Sequence, residues 1–164
     1  MKEKISLRDR IIGYAFVVML MVLVVGLGKC SAQSHKVDST IKAVLAEHNV
    51  PPFTTKLLVA QAKLESGNYT NKLFLKHNNL YGMMHPKRRE TTSFGARARA
   101  EGRAGYAQYK TIEDSVEDML LYMKYKEHPL RYKSAYSYVH TIKSKGFFTA
   151  PEAEYLAGLK RYMN

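Results

Sequence analysis

The stretch Thr54–Gly67, TTKLLVAQAKLESG, decides how the rest of the chain reads. Leu57, Leu58, Gln61, Leu64 and Glu65 recur at steps of three and four, the period of a helix packed against a core. Thr54 is the expected N-cap, and Ser66-Gly67 the expected stop, because glycine enters the left-handed conformation that closes a helix. The helix therefore ends in a carboxyl group, that of Glu65, among Ala60, Ala62 and Leu64. A carboxyl at such a boundary is partly stripped of water, which disfavours its charged form and keeps its proton on toward neutrality. Beside a cleft, a protonated carboxylic acid can hand its proton to a glycosidic oxygen. Composition alone favours the plainer alternative, an exposed glutamate at a helix end.

Outward from this segment the pattern is mostly helical. From His35 to Asn49, Val37, Ile41, Val44, Leu45 and His48 line one face, and Pro51-Pro52 ends the run. A short helix is expected around Asn71–Lys76. Between Asn78 and Tyr109 helical periodicity disappears among glycines, threonines and arginines. One β-hairpin is expected there, Glu90–Phe94 against Gly105–Tyr109. Thr111-Ile112-Glu113-Asp114 then opens a helix by capping chemistry, with Ile112, Val116, Met119, Leu120 and Met123 on its apolar face. Further helices are expected from about Leu130 to Lys145, and from Pro151 with Leu156, Leu159 and Met163 inward. The fold class is mainly α (α+β): a helical lobe and a small β-hairpin lobe on either side of a cleft, where polymer substrates sit.

The 164 residues suit one domain with a short leading segment, and the single cysteine, Cys30, excludes an internal disulfide or a cysteine-built zinc site. Lys2, Lys4, Arg8 and Arg10 precede 18 uncharged residues, Ile11–Gly28, the layout of an export signal. Small residues at Cys30 and Ala32 place cleavage near Ala32 or Gln33. An uncleaved inner-membrane anchor through residues 11–28 is the main rival, since 18 residues reach the lower limit of a span. A lipoprotein cleaved before Cys30 fits less well, with Lys29 where a small residue is expected. The division is thus 1–32, signal peptide or anchor, and 33–164, the working domain, at the periplasm or cell envelope. Net charge is +12; without residues 1–32 it is +9, from 21 basic and 12 acidic side chains. Such a balance draws polyanions without choosing among nucleic acid, anionic lipid and acidic wall polymers.

Three blocks in order narrow the choice: Ala60-Gln61-Ala62-Lys63-Leu64-Glu65-Ser66-Gly67, then Asn78-Asn79-Leu80-Tyr81-Gly82-Met83, then Tyr106-Ala107-Gln108-Tyr109-Lys110 with Glu113-Asp114-Ser115-Val116-Glu117-Asp118. Together they resemble the glucosaminidase family of peptidoglycan hydrolases (glycoside hydrolase family 73), over roughly Asn49 to Met163. The resemblance implies a lysozyme-like fold and cleavage of the β-1,4 bond between N-acetylglucosamine and N-acetylmuramic acid, with no cofactor. It makes Glu65 the catalytic acid and sets Asn78, Asn79 and Tyr81 along the groove, where amide side chains suit N-acetyl and hydroxyl groups. A second carboxylate is expected on the β-lobe, to activate water or orient the substrate's acetamido group. Glu90 and Glu101 are the only acids between Glu65 and Glu113, with Glu90 slightly preferred. Where the family often has Gly-Tyr-Ala-Thr-Asp-Pro this chain has Gly146-Phe147-Phe148-Thr149-Ala150-Pro151, lacking the tyrosine hydroxyl; Tyr155 either replaces it or packs in the core. With no tryptophan, sugar stacking falls to tyrosine or phenylalanine, and Tyr69, Tyr81 and Tyr106 are the candidates.

The expected partner is the glycan strand of peptidoglycan. Lys87, Arg88, Arg89, Arg97, Arg99 and Arg103 are expected to face the carboxylates of peptide stems and lactyl groups, the alternative being a solvated loop. The six histidines show no metal-ligand spacing, so no metal is expected. Three rival functions stand beside the hydrolase. A lytic transglycosylase also uses a Glu-Ser-Gly context, and a wall-binding module would keep the groove without turnover. A nucleic-acid binder rests on charge alone and conflicts with the export segment.

Overall fold

The computed structural model describes residues 32–96 and 105–163. The chain divides into two units, residues 1–36 and 37–164, and of the first only the helical residues 32–36 are described. Residues 1–31, where an export signal or anchor is expected, and Arg97, Arg99, Glu101 and Arg103 lie outside the described residues.

Six helices and one two-stranded sheet make up the described residues: α1 (32–47), α2 (Pro52–Ser66), α3 (Lys72–His77), β1 (Gly95–Ala96), β2 (Ala107–Gln108), α4 (Ile112–Tyr125), α5 (Ala135–Ser144) and α6 (Glu152–Lys160). Helix α2 is the central element. Leu57, Leu58, Val59, Ala60, Gln61 and Ala62 are consecutive and all buried, so over this stretch α2 is enclosed on every side rather than amphipathic. Each large apolar side chain so enclosed contributes about 1.5–3 kcal/mol of transfer free energy. From Val37 onward, α1 buries Ile41 and Leu45 in the same core; α4 adds Val116, Met119 and Met123, and α5 adds Tyr138, Val139 and Ile142. α6 packs on α2 and α5. Gly158 lies against Leu64 at the first contact, where a Cβ would stand 2.9 Å from Leu64 Cδ1.

Several boundaries differ from the sequence expectation. Pro52 opens α2 instead of ending α1: its fixed φ suits the first helical position, where a missing N–H leaves nothing unpaired. Thr54 therefore lies inside α2, buried, and its hydroxyl donates to the Leu130 carbonyl at 2.8 Å. His48 sits outside the core, exposed, with Nε2 2.7 Å from Glu117 Oε1. Helix α5 begins at Ala135, because Ser134 and Ser137 form a reciprocal cap that fixes the start. The cap of α4 falls where expected, with Thr111 and Asp114 exchanging bonds of 3.1 Å.

The sheet is shorter and shifted. Gly95 pairs with Gln108 and Ala96 with Ala107, antiparallel, while Glu90–Phe94 forms loop. The cause is Ser93, whose Oγ lies within hydrogen-bond reach of Gly95 O, Gln108 O and Gln108 N. One hydroxyl thus occupies backbone groups that a ladder would use. Met84 pairs with Tyr106 in an isolated bridge, and Met83 O accepts from Ala107 N at 2.9 Å, so the segment after α3 lies along the outer side of β2.

A buried ion pair ties this lobe to α4. The Arg89 guanidinium donates to both oxygens of Asp118, at 2.7 and 2.8 Å, and the Tyr109 hydroxyl adds a bond of 2.7 Å. Both partners are almost completely enclosed. Burial alone would raise the Asp118 pKa; bonds from Arg89, Thr91 and Tyr109 and the guanidinium charge outweigh it and hold it below the ordinary value. Asp118→Ala leaves a buried guanidinium without its anion and should cost ~3–5 kcal/mol, read as a lower urea midpoint at unchanged m-value.

Candidate active site

Glu65 sits on the last turn of α2, and the chain around it is held residue by residue. Gly67 closes the helix at φ +59°, its N–H and that of Asn68 meeting the Leu64 and Lys63 carbonyls. Ser66 Oγ donates to Ala62 O at 2.6 Å and accepts from Tyr69 N at 2.9 Å. Asn71 donates from Nδ2 to the Glu65 carbonyl at 2.8 Å, while its Oδ1 caps α3 through Phe74 N at 2.8 Å. Asn71 was not among the expected site residues; its sequence signal is that of an N-cap asparagine one residue before a short helix.

The Glu65 side chain lines a groove of about 470 Å³. One wall is the run Tyr81–Arg89; the other is Tyr122, Tyr125 and Lys126 from the end of α4 with Gly146, Phe147 and Phe148 from the loop after α5. Gly82 comes near the carboxyl: its φ is +63°, and a Cβ there would lie 3.6 Å from Glu65 Oε2. Behind the carboxyl stands Tyr155 of α6, which donates its hydroxyl to Glu65 Oε1 at 2.6 Å. Phe148 stacks flat on Tyr155, with centroids 3.9 Å apart and planes 8° apart. Burial raises the Glu65 pKa above 4.5, and the Tyr155 bond only partly offsets this. Tyr155 itself is pushed far up, by burial first and then by the Glu65 charge, so its phenol keeps its proton and is the donor of the pair. With Oε1 engaged, Oε2 is the oxygen left to carry the carboxylic proton.

The remaining expected residues divide. Tyr81 lines the groove, buried, its hydroxyl without a partner among the described residues. Asn78 and Asn79 do not line it. Asn78 caps α3 in the left-handed conformation and donates to Lys110 O at 3.0 Å and Tyr109 O at 3.2 Å. Asn79 is 1% exposed and spends its whole amide on backbone: Nδ2 to Met83 O and Ala107 O, both 2.9 Å, and Oδ1 from Met83 N at 3.0 Å. Asn79 holds the turn that carries Gly82, and neither of its amide hydrogens is left for a sugar. Tyr155 braces the acid and is absent from the lining residues, as is Tyr106. Tyr69 is buried away from the groove, its hydroxyl on Asp38 at 2.7 Å. Glu90 is exposed and does not line the groove either, because the strand expected to present it is loop; Glu101 lies outside the described residues. In the basic cluster Arg89 belongs to the buried pair with Asp118, while Lys87 and Arg88 are exposed and line the groove with Lys126.

A desolvated carboxyl at the end of an enclosed helix, facing a groove between a helical lobe and a small β-lobe, defines a glycosidase of lysozyme-like fold. The chain belongs to the glucosaminidase family, mannosyl-glycoprotein endo-beta-N-acetylglucosaminidase, whose family model matches residues 39–164, and it is a glycoside hydrolase. Its structure is similar to one from a type VI secretion system effector-immunity complex of Pseudomonas protegens, at 16% identity over 82% of this chain and 93% of that one, TM-score 0.60. It is also similar to the catalytic domain of the autolysin Auto from Listeria monocytogenes, at 15% identity over 82% of each chain, TM-score 0.54. No curated protein matches the chain by sequence.

The raised Glu65 pKa has a defined thermodynamic sign. The folded state holds the proton above pH 4.5, where the unfolded chain releases it. Stability from this group is therefore complete below pH 4.5 and is lost as pH rises through the folded value. Glu65→Gln should raise the thermal midpoint at pH 7 and flatten this slope, measured by calorimetry between pH 4 and 8. Tyr155→Phe removes a bond that favours the carboxylate, so the Glu65 pKa should move further up, read by NMR titration of the side chain.

Proposed function

We propose that this domain is exported and cleaves the β-1,4 bond between N-acetylglucosamine and N-acetylmuramic acid in peptidoglycan, with Glu65 as general acid. The observation that carries this reading is the partly buried Glu65 carboxyl on the groove, with Tyr155 on one oxygen at 2.6 Å. Family membership supports the N-acetylglucosaminide bond, and the autolysin likeness is in keeping with a wall polymer. The basic start and the uncharged run Ile11–Gly28 support export.

In this mechanism the glycan strand lies along the groove, and Phe147 and Phe148 offer apolar surface to its sugar faces. The proton on Oε2 passes to the glycosidic oxygen as the bond to C1 lengthens, and the sugar develops oxocarbenium character. The Tyr155 hydroxyl at Oε1 stabilises the carboxylate that results. Lys87, Arg88 and Lys126 stand at the groove where carboxylates of stem peptides and lactyl ethers would pass.

The test is digestion of purified peptidoglycan by the wild type and by Glu65→Gln, with separation of the products. Loss of at least ~100-fold in turnover is expected for the variant. Wild-type products should end in reducing N-acetylglucosamine. Anhydro-muramic ends would identify a lytic transglycosylase instead, and equal turnover in the two proteins would end the assignment. Binding of Glu65→Gln to intact sacculi should weaken as salt rises from about 0.05 to 0.5 M, since the Debye length shrinks several-fold over that range.

A further inference from the structure

Protonating the leaving oxygen is half of a glycoside hydrolysis; water must also be deprotonated or the substrate's own acetamido group recruited. Among the described residues lining the groove, Glu65 is the one carboxylate. His85 lines the same groove, and no expectation from the sequence gave it a role.

Three observations fix this ring. Its backbone is clamped to the β-lobe, with His85 N donating to Gly105 O at 2.9 Å beside the Met84–Tyr106 bridge. Its Nδ1 lies 3.0 Å from Ser93 Oγ. The third is the proton count at that hydroxyl. Ser93 Oγ lies 2.8 and 3.1 Å from the Gly95 and Gln108 carbonyls, which can only accept, and 3.2 and 3.4 Å from the Gln108 and Gly95 N–H groups, which can only donate. A hydroxyl has one proton and two lone pairs. With the proton given to the nearer carbonyl, that of Gly95, Oγ accepts at its two shorter remaining donor contacts, Gln108 N–H and His85 Nδ1–H at 3.0 Å. In the neutral imidazole, Nε2 then carries the lone pair. This is the tautomer of a general base, set by a hydrogen bond to the opposite nitrogen.

Gly82 sits against the Glu65 carboxyl, and His85 follows it three residues later along the same groove. An acid and a base about 6.5–9.5 Å apart leave room for water between them and the sugar.

We propose that His85 is the general base of this site, resting on the glycosidase reading above. Nε2 takes a proton from a water molecule, whose oxygen forms the new bond to C1 on the face opposite the leaving group. The C1–O bond to the leaving sugar breaks, and that oxygen takes the proton of Glu65. Glu65 ends as carboxylate and His85 as imidazolium, and proton exchange with solvent resets both. The product is inverted, an α-anomer from a β-linked strand.

The experiment uses His85→Asn, whose amide N–H can replace the bond to Ser93, and His85→Ala, which opens space. His85→Asn should keep the wild-type thermal midpoint and lose at least ~100-fold in turnover. Sodium azide should restore turnover to His85→Ala and give the α-configured glycosyl azide, which a merely structural role would not produce. NMR of the first wild-type products should show the α-anomer. A β-anomer, or wild-type turnover in His85→Asn, overturns the proposal, as does azide rescue in Glu101→Ala or Glu90→Ala in place of His85→Ala. Each of these leaves the glycosidase reading standing if Glu65→Gln is inactive; an active Glu65→Gln defeats that reading first.

Discussion

The bond between Tyr155 and Glu65 is where the two requirements of this molecule meet. The acid chemistry proposed for Glu65 needs a carboxyl poor in water, so that it keeps its proton; folding disfavours burying a group that can charge. Burial of Glu65 on the last turn of α2 answers the first requirement. The hydroxyl of Tyr155 answers the second, because it gives one oxygen a partner that tolerates either protonation state. Tyr155 is placed by α6, and α6 by its close approach to α2 at Gly158 and Leu64. A glycine some ninety residues downstream in the chain thus serves the same carboxyl that the central helix delivers.

The second constraint is the β-lobe, whose two short strands contain few ladder bonds. Its shape comes from side chains standing in for backbone. Asn79 binds three backbone groups at once, Ser93 gathers the ends of β1 and β2, and the Arg89–Asp118 pair fastens the lobe to α4. Such polar anchoring is directional, whereas apolar packing tolerates small slips. That suits a lobe whose task is to hold Gly82 and His85 at set positions along a groove. The departure from the family pattern at Phe147 and Phe148 has a physical sequel. Phe148 stacks on Tyr155, so an aromatic face secures the ring whose hydroxyl reaches the acid.

The amides show why a motif carries more about position than about role. Asn78-Asn79 stands close to the Glu65 carboxyl in the sequence pattern, and amides are good sugar ligands. In the fold every polar atom of Asn79 faces backbone, and Asn78 caps a helix. The same letters serve by holding Gly82 in a left-handed turn, and it is Gly82 that lets the wall of the groove come near Glu65.

By itself the sequence determined the helices whose periods and caps are local, the placement of an acid at the end of an apolar helix, and the three-block pattern of the family. These are short-range facts, set by neighbours three or four residues away. Tertiary structure alone decided the pairing of Tyr155 with Glu65 across ninety positions, the burial of Arg89 against Asp118, the loop at Glu90–Phe94 and the seat of His85 on the groove. Each depends on which distant backbone and side-chain groups compete for the same hydrogen bond, and that contest exists only once the chain has closed on itself.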